Sequence, residues 1–275
     1  MLRSVLSDGT IVFTLDGKYH NEDGPAVIGP EGQYWHKRGK FHRIGGPAIE
    51  YADGSVEYWV EDELHRDDGP AKIHVNGHTE YYRRGKCHRI GGPAITYVNG
   101  TLEWYKDGVL HNDNGPARTK KNGEQEYFID GELHRLDGPA FIDKNGNEFW
   151  YKKGKRHRDG GPAESYADGS LIWFQDDERH RDDGPAVIGK HSKVWFKRGK
   201  HHRLNGPAMI CDDSSEYWYV DGEYFREPIN GKPMPVIVSK YDISYDGIDF
   251  ISITEAEYEL YRYIPPGQYT KPALH

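Results

Sequence analysis

Gly92-Pro93-Ala94-Ile95-Thr96-Tyr97-Val98-Asn99-Gly100-Thr101-Leu102-Glu103-Trp104-Tyr105-Lys106-Asp107-Gly108-Val109-Leu110-His111 carries nearly one whole period of a pattern that fills most of this 275-residue chain. Two runs of β-branched and aromatic residues flank Asn99-Gly100. Such a pair between strand-like runs is the strongest short-range hairpin signal, because glycine and asparagine accept the left-handed backbone that tight turns need. The second run, Thr101 to Lys106, ends at another turn dipeptide, Asp107-Gly108. Each period therefore reads as one β-hairpin.

Outward from this stretch, Gly-Pro-Ala recurs with its glycine at 24, 46, 69, 92, 115, 138, 161, 184 and 206, in steps of 22 or 23 residues. Four residues before each glycine stands a histidine: His20, His42, His65, His88, His111, His134, His157, His180 and His202. Arginine follows the histidine in seven units, and Asn21 and Asn112 stand there in the other two. Seven residues before each histidine comes a ring: Phe13, Trp35, Tyr58, Tyr81, Trp104, Tyr127, Trp150, Trp173 and Trp195. A degenerate tenth unit carries Trp218, Gly222 and Phe225. Self-similarity at this period is the mark of a repeat architecture, and no helical spacing of apolar residues occurs before residue 254. The expected fold is all-β: an elongated, twisted antiparallel sheet, a solenoid of about nine to ten tandem hairpins over residues 1–233, with a small strand and helix cap over 234–275. At about 4.8 Å per strand each hairpin advances the sheet by roughly 10 Å, so nine units span on the order of 90 Å. The fixed rings should fall on one face and stack as a column, with the alanine of Gly-Pro-Ala leaving room for them.

Composition agrees with a thin structure: 36% hydrophobic residues, 33 Gly and 16 Pro, yet 20 Tyr, 7 Trp and 9 Phe to supply apolar burial. Disorder and a membrane helix are not expected. The opening Met1 to Leu6 is too short for a signal peptide, and Cys87 and Cys211, more than five units apart, are expected as reduced thiols. A cytoplasmic protein is the expectation. The formal charge of −8 offers no general attraction to nucleic acid or lipid. Asn99-Gly100-Thr101 matches a glycosylation acceptor but reads better as a turn.

The unit Trp-Tyr-x-x-Gly-Lys-x-His-x-x-x-Gly, seen around Lys155-Arg156-His157 and Gly199-Lys200-His201-His202, resembles the MORN repeat in a variant form with His-Arg-x-x-Gly-Pro-Ala. The resemblance covers residues 10–233 and implies a single-sheet hairpin solenoid serving as a scaffold or docking surface. The Gly-Pro-Ala variant resembles repeats of large DNA viruses and bacteriophages, which implies a viral or phage factor engaging or inhibiting a host protein. Arginine after the histidine, where MORN repeats usually carry glycine, departs from any lipid-binding form.

No residue is expected to be catalytic, and no cofactor or metal is expected. Equivalent histidines sit roughly 10 Å apart, too far for successive members of the column to share an ion bound at about 2 Å. They are expected to cap turns through backbone hydrogen bonds. His65-Arg66-Asp67, His157-Arg158-Asp159 and His180-Arg181-Asp182 spell a kinase tripeptide without the kinase's other parts. The arginines are expected to pair with carboxylates such as Asp68, Asp137 and Asp183. Basic second turns, Lys37-Arg38, Arg83-Arg84, Lys152-Lys153 and Lys197-Arg198, alternate with acidic ones at Glu61-Asp62 and Asp176-Asp177.

Beyond the array, Pro235 to Ser239 reads as a strand and Thr254-Glu255-Ala256-Glu257 as a capping box that opens a helix to about Tyr263. This piece serves as an end cap or as an effector surface. The leading functional expectation is a non-enzymatic module that binds another protein. Trp218, Tyr219, Tyr224, Tyr241, Tyr245, Tyr258, Tyr261 and Tyr263 are its candidate contacts, since tyrosine gives contact area at low entropic cost. The alternative is an anionic ligand, nucleic acid or lipid headgroup, held by the Lys/Arg turns.

Overall fold

A computed structural model describes residues 1–225 and the strand backbones Val236–Ile237, Asp242–Tyr245 and Asp249–Ser252. All regular structure among the described residues is β, and 22 strands form one antiparallel sheet in hairpin order that does not close into a barrel. Ile95–Thr96 pairs across the Asn99-Gly100 turn with Leu102–Glu103, and on its other edge with Thr79–Glu80 of the preceding period. Leu102–Glu103 in turn pairs with Arg118–Thr119 of the next. The turn is closed by Gly100 N–H donating to Tyr97 O and Tyr97 N–H to Thr101 O, with Gly100 at φ +83°. That left-handed conformation is why glycine stands there.

Two compact units are distinguished, Met1–Arg135 with Ala140–Lys144, and Leu136–Pro139 with Asn145–His275. Within the first, the meander starts at Leu2–Val5, an added strand paired with Ile11 to Thr14 of the strand Ile11–Leu15, and reaches Phe141–Ile142 beside Gln125–Glu126. Within the second it runs from Glu148–Phe149 beside Glu164–Ser165 to Glu216–Val220 beside Glu223–Phe225. Val236–Ile237, Asp242–Tyr245 and Asp249–Ser252 form a separate three-stranded sheet. The helix expected from Thr254 lies outside the described residues.

The periods hold two hairpins each, where the sequence suggested one. The expected strand Thr101 to Lys106 breaks at Trp104, and Tyr105–Lys106 pairs with Val109–Leu110 in a small hairpin of its own, one of eight such two-stranded pairs. The cause is visible in the backbone of the ring residue. In all nine units its N–H donates to the alanine carbonyl of the next Gly-Pro-Ala, while its C=O accepts the N–H of its own unit's histidine. One peptide thus serves the large sheet and the other the small hairpin. The two-residue turn at Asp107-Gly108, with φ +52° and +87°, has the left-handed pair of a type I′ turn and joins its immediate flanks.

Packing also differs from a column of rings. The fully buried position is the alanine of Gly-Pro-Ala, 0% exposed in all nine units, whereas each fixed ring is half-buried. Equivalent positions of neighbouring units lie roughly 10 Å apart, so the fixed rings do not stack on one another at the 4.5–7 Å typical of ring pairs. The core is therefore assembled locally, as where Cys87, Ala94 and Ile95 pack with Tyr81, Tyr82, Tyr97 and Tyr105. Between them run buried carboxylates with full sets of partners: Glu103 accepts from Tyr97 and Tyr105 Oη, both at 3.1 Å, and from Arg118 Nε at 2.6 Å.

Candidate interaction surface

The loop His-Arg-x-x-Gly-Pro-Ala is organised around its first two side chains. Histidine Nδ1 accepts a backbone N–H from the small-hairpin turn of the following unit: Arg38 to His20 (3.2 Å), Arg84 to His65 (3.2 Å), Asp107 to His88 (3.0 Å), Asp130 to His111 (3.1 Å), Asp176 to His157 (3.4 Å), Arg198 to His180 (3.2 Å) and Asp221 to His202 (3.1 Å). Each donor is a non-glycine residue with φ between 48° and 52°. The imidazole thus ties one period to the next at a strained turn. His42 faces Glu61 instead, with Nδ1 2.9 Å from the carboxylate.

The arginine lies over the fixed ring of its own unit in all seven His-Arg units, with Cζ 3.8–4.1 Å from the ring centre. Its Nη1 donates to the proline carbonyl four residues on, as in Arg89 to Pro93 (2.9 Å). Asn21 and Asn112 donate to Pro25 (3.0 Å) and Pro116 (2.9 Å), so asparagine keeps the carbonyl bond without the stacking. Carboxylate pairing is a subset of this arrangement: Arg66–Asp68 (2.8 Å) and Arg181–Asp183 (2.7 Å) form. The ring is the partner common to all seven arginines, and six of them also lie over the glycine of their Gly-Pro-Ala.

The residue after the arginine or asparagine takes two forms. Where it is acidic, its carboxylate faces Nε2 of the histidine: His20–Glu22 (3.6 Å), His65–Asp67 (3.5 Å), His111–Asp113 (2.8 Å), His157–Asp159 (3.1 Å) and His180–Asp182 (3.4 Å). These contacts occupy the acidic residues of the three kinase-like tripeptides. Where it is aliphatic, it projects into solvent: Ile44 is 75% exposed, Ile90 82%, Leu136 82% and Leu204 40%. In the Ile90 unit the Nε2 of His88 is buried with no hydrogen-bond partner among the described residues. Acidic and aliphatic forms alternate from the first unit to the seventh. The repeat frame singles out this variable position, but not which form is exposed.

Of the expected contact residues, Trp218 is buried, while Tyr219 and Tyr224 are half-buried and pair ring to ring at 5.3 Å. Tyr245 closes the strand Asp242–Tyr245, and Tyr241, Tyr258, Tyr261 and Tyr263 lie outside the described residues. Apart from the column, His74, His78 and Glu80 form a group of metal-ligating side chains that the sequence reading did not single out. Their signal is two histidines four apart, across a turn where neighbouring units carry Tyr and Ser or Thr.

No protein-family model matches the chain, and comparison with curated proteins finds no relative.

Proposed function

We propose that the chain is a non-enzymatic interaction module that docks another protein along its His-Arg-x loops. The observation that carries this reading is the exposure of Ile44 and Ile90 at one position of the repeat, two periods apart within the first compact unit. Aliphatic side chains scattered singly on a surface are ordinary, but two at the same repeat position of one compact unit offer a pair of anchors for a partner. The resemblance to MORN repeats supports the same role and is the sole support for a viral or phage factor acting on a host protein. The alternative, an anionic ligand on the basic turns, is weakened because acidic tips such as Glu61 and Asp176 interrupt Arg38, Arg84, Lys153 and Arg198.

The test uses the double variant Ile44→Asp/Ile90→Asp, which places in these units the residue type that others already carry. Capture from a lysate of the native host by the wild-type chain is expected to recover one specific protein. The variant should lose it at an undiminished melting temperature. Equal recovery by both chains refutes the assignment of these loops.

A further inference from the structure

We propose that His74, His78 and Glu80 form a binding site for a single zinc-class divalent ion, with a fourth position open to solvent. The three side chains stand at one hairpin. His74 follows the strand Lys72–Ile73, and His78 precedes Thr79–Glu80. The backbone sets their geometry: His74 N–H donates to His78 O (2.9 Å), Gly77 N–H to His74 O (2.9 Å), and Gly77 turns the chain at φ +90°. His78 and Glu80, two apart on a strand, share one face. His74 meets them from across the turn.

One ligand atom from each residue lies within 4.8 Å of the other two. His78 Nε2 is 2.8 Å and His74 Nε2 3.9 Å from the same oxygen, Glu80 Oε1. A tetrahedral ion with bonds of about 2.0–2.1 Å holds its ligands roughly 3.3 Å apart, so the 2.8 Å pair must open and the wider pairs, up to 4.8 Å, must close by side-chain rotation for the cluster to become a coordination sphere. Two imidazoles and a carboxylate are a donor set suited to zinc, whereas calcium and magnesium favour oxygen alone. The outer contacts fit as well. Tyr82 Oη donates to Glu80 Oε2 (2.9 Å), which leaves Oε1 turned to the histidines and fixes the carboxylate as ligands' outer partners do. Lys72, the nearest cation on the same hairpin, is engaged by Glu57 at 3.1 Å. The cluster lines a concavity walled by Tyr97, Val98 and Asn99 of the next unit.

This unit departs from its neighbours where the ligands stand. The positions of His74 and His78 are Tyr51 and Ser55 one unit earlier, Tyr97 and Thr101 one unit later, and Tyr166 and Ser170 further on. In the later unit Tyr97 Oη bonds to Glu103, the counterpart of Glu80. The fold is thus satisfied by a tyrosine and a hydroxyl residue, and structure alone does not require the histidine pair.

That substitution also supplies the test. Zinc is titrated into the untagged full chain by calorimetry, beside the variant His74→Tyr/His78→Thr and the single variant Glu80→Gln. The expected result is one saturable zinc per wild-type chain, with affinity at least tenfold weaker in both variants. Zinc should raise the melting temperature of the wild type alone, and calcium should have no effect. The double variant is expected to melt as the metal-free wild type does. If it does not fold, Glu80→Gln carries the comparison. Absence of 1:1 binding overturns the proposal, and so does undiminished binding by the variants, which would place the ion on other histidines.

Discussion

Each Arg-bearing Gly-Pro-Ala glycine is needed for what lies on it. A Cβ at Gly92 would meet Arg89 Cζ at 3.0 Å, whereas at Gly115, in an asparagine unit, the nearest atom is Asn112 Nδ2 at 3.6 Å. Gly92→Ala should therefore push the guanidinium off the Tyr81 ring and the Pro93 carbonyl. A cation–π contact of about 0.5–1 kcal/mol and a hydrogen bond of about 1 kcal/mol are at stake, so a loss of about 1–2 kcal/mol is expected. Gly115→Ala should lie within about 0.5 kcal/mol of the wild type. Urea unfolding of both variants checks the contrast. Ile90→Asp acts in the other direction, giving the unpartnered Nε2 of His88 the carboxylate that Asp113 gives His111. The hydrogen bond and charge of His111 hold the Asp113 carboxyl below its ordinary value of 3.8. A carboxylate depressed in the folded state stabilises above the unfolded value and ceases to do so as pH falls through the folded one. Melting curves should show Ile90→Asp above the wild type near neutrality, with the gain fading progressively as pH falls below about 3.8.

Two kinds of turn alternate along the chain, each with its own demand. The small-hairpin turns need two left-handed residues, and glycine fills the second place except at Asp62 (φ 67°) and Asp177 (φ 71°). There the side chain compensates for the conformation: Asp62 Oδ1 accepts Phe41 N–H at 2.7 Å, and Asp177 Oδ1 accepts Arg156 N–H at 3.1 Å, each reaching the hairpin of the unit before. Strain and bond oppose each other, at about 1 kcal/mol apiece. Asp62→Gly, which removes both, should be close to neutral. Asp62→Ala removes only the bond and should cost about 1 kcal/mol. Equal losses in the two would show that the carboxylate does not offset the turn.

At the scale of the whole molecule, stability is spread over equivalent joints. His65 and His111 each tie one turn in place, two periods apart within the first compact unit. Replacing either by alanine should cost about 1–2 kcal/mol through the unsatisfied turn N–H. The double variant should cost the sum to within about 0.5 kcal/mol, because units interact with their neighbours alone. A double-mutant cycle in urea measures this, and a large coupling term would contradict nearest-neighbour behaviour. Acid should act on many joints together. Backbone N–H bonds depress Asp53 and Asp168, Arg66 and Arg181 depress Asp68 and Asp183, and His157 with Lys152 depresses Asp159. All these folded values lie below the ordinary 3.8, so their stabilisation is complete above about pH 4 and is lost progressively below it. A melting temperature falling steeply on that side is the expected signature.

By itself the sequence determined the all-β repeat, its period and its turn positions. Local chemistry suffices for these: Asn-Gly and Asp-Gly set reversals, and the nine copies of Gly-Pro-Ala keep every unit in one frame. It did not show that each period holds two hairpins, because Thr101 to Lys106 has unbroken strand character and the bend at Trp104 arises from backbone partners in other segments. Nor did it show the arginine on its ring, because carboxylates such as Asp68 and Asp183 stand nearer to their arginines in sequence than the rings do. Trp218 in the core, Ile90 in solvent and the meeting of His74, His78 and Glu80 were likewise settled by packing. Exposure and the approach of ligands depend on which side chains the neighbouring strands and turns bring alongside, and that information belongs to the folded chain.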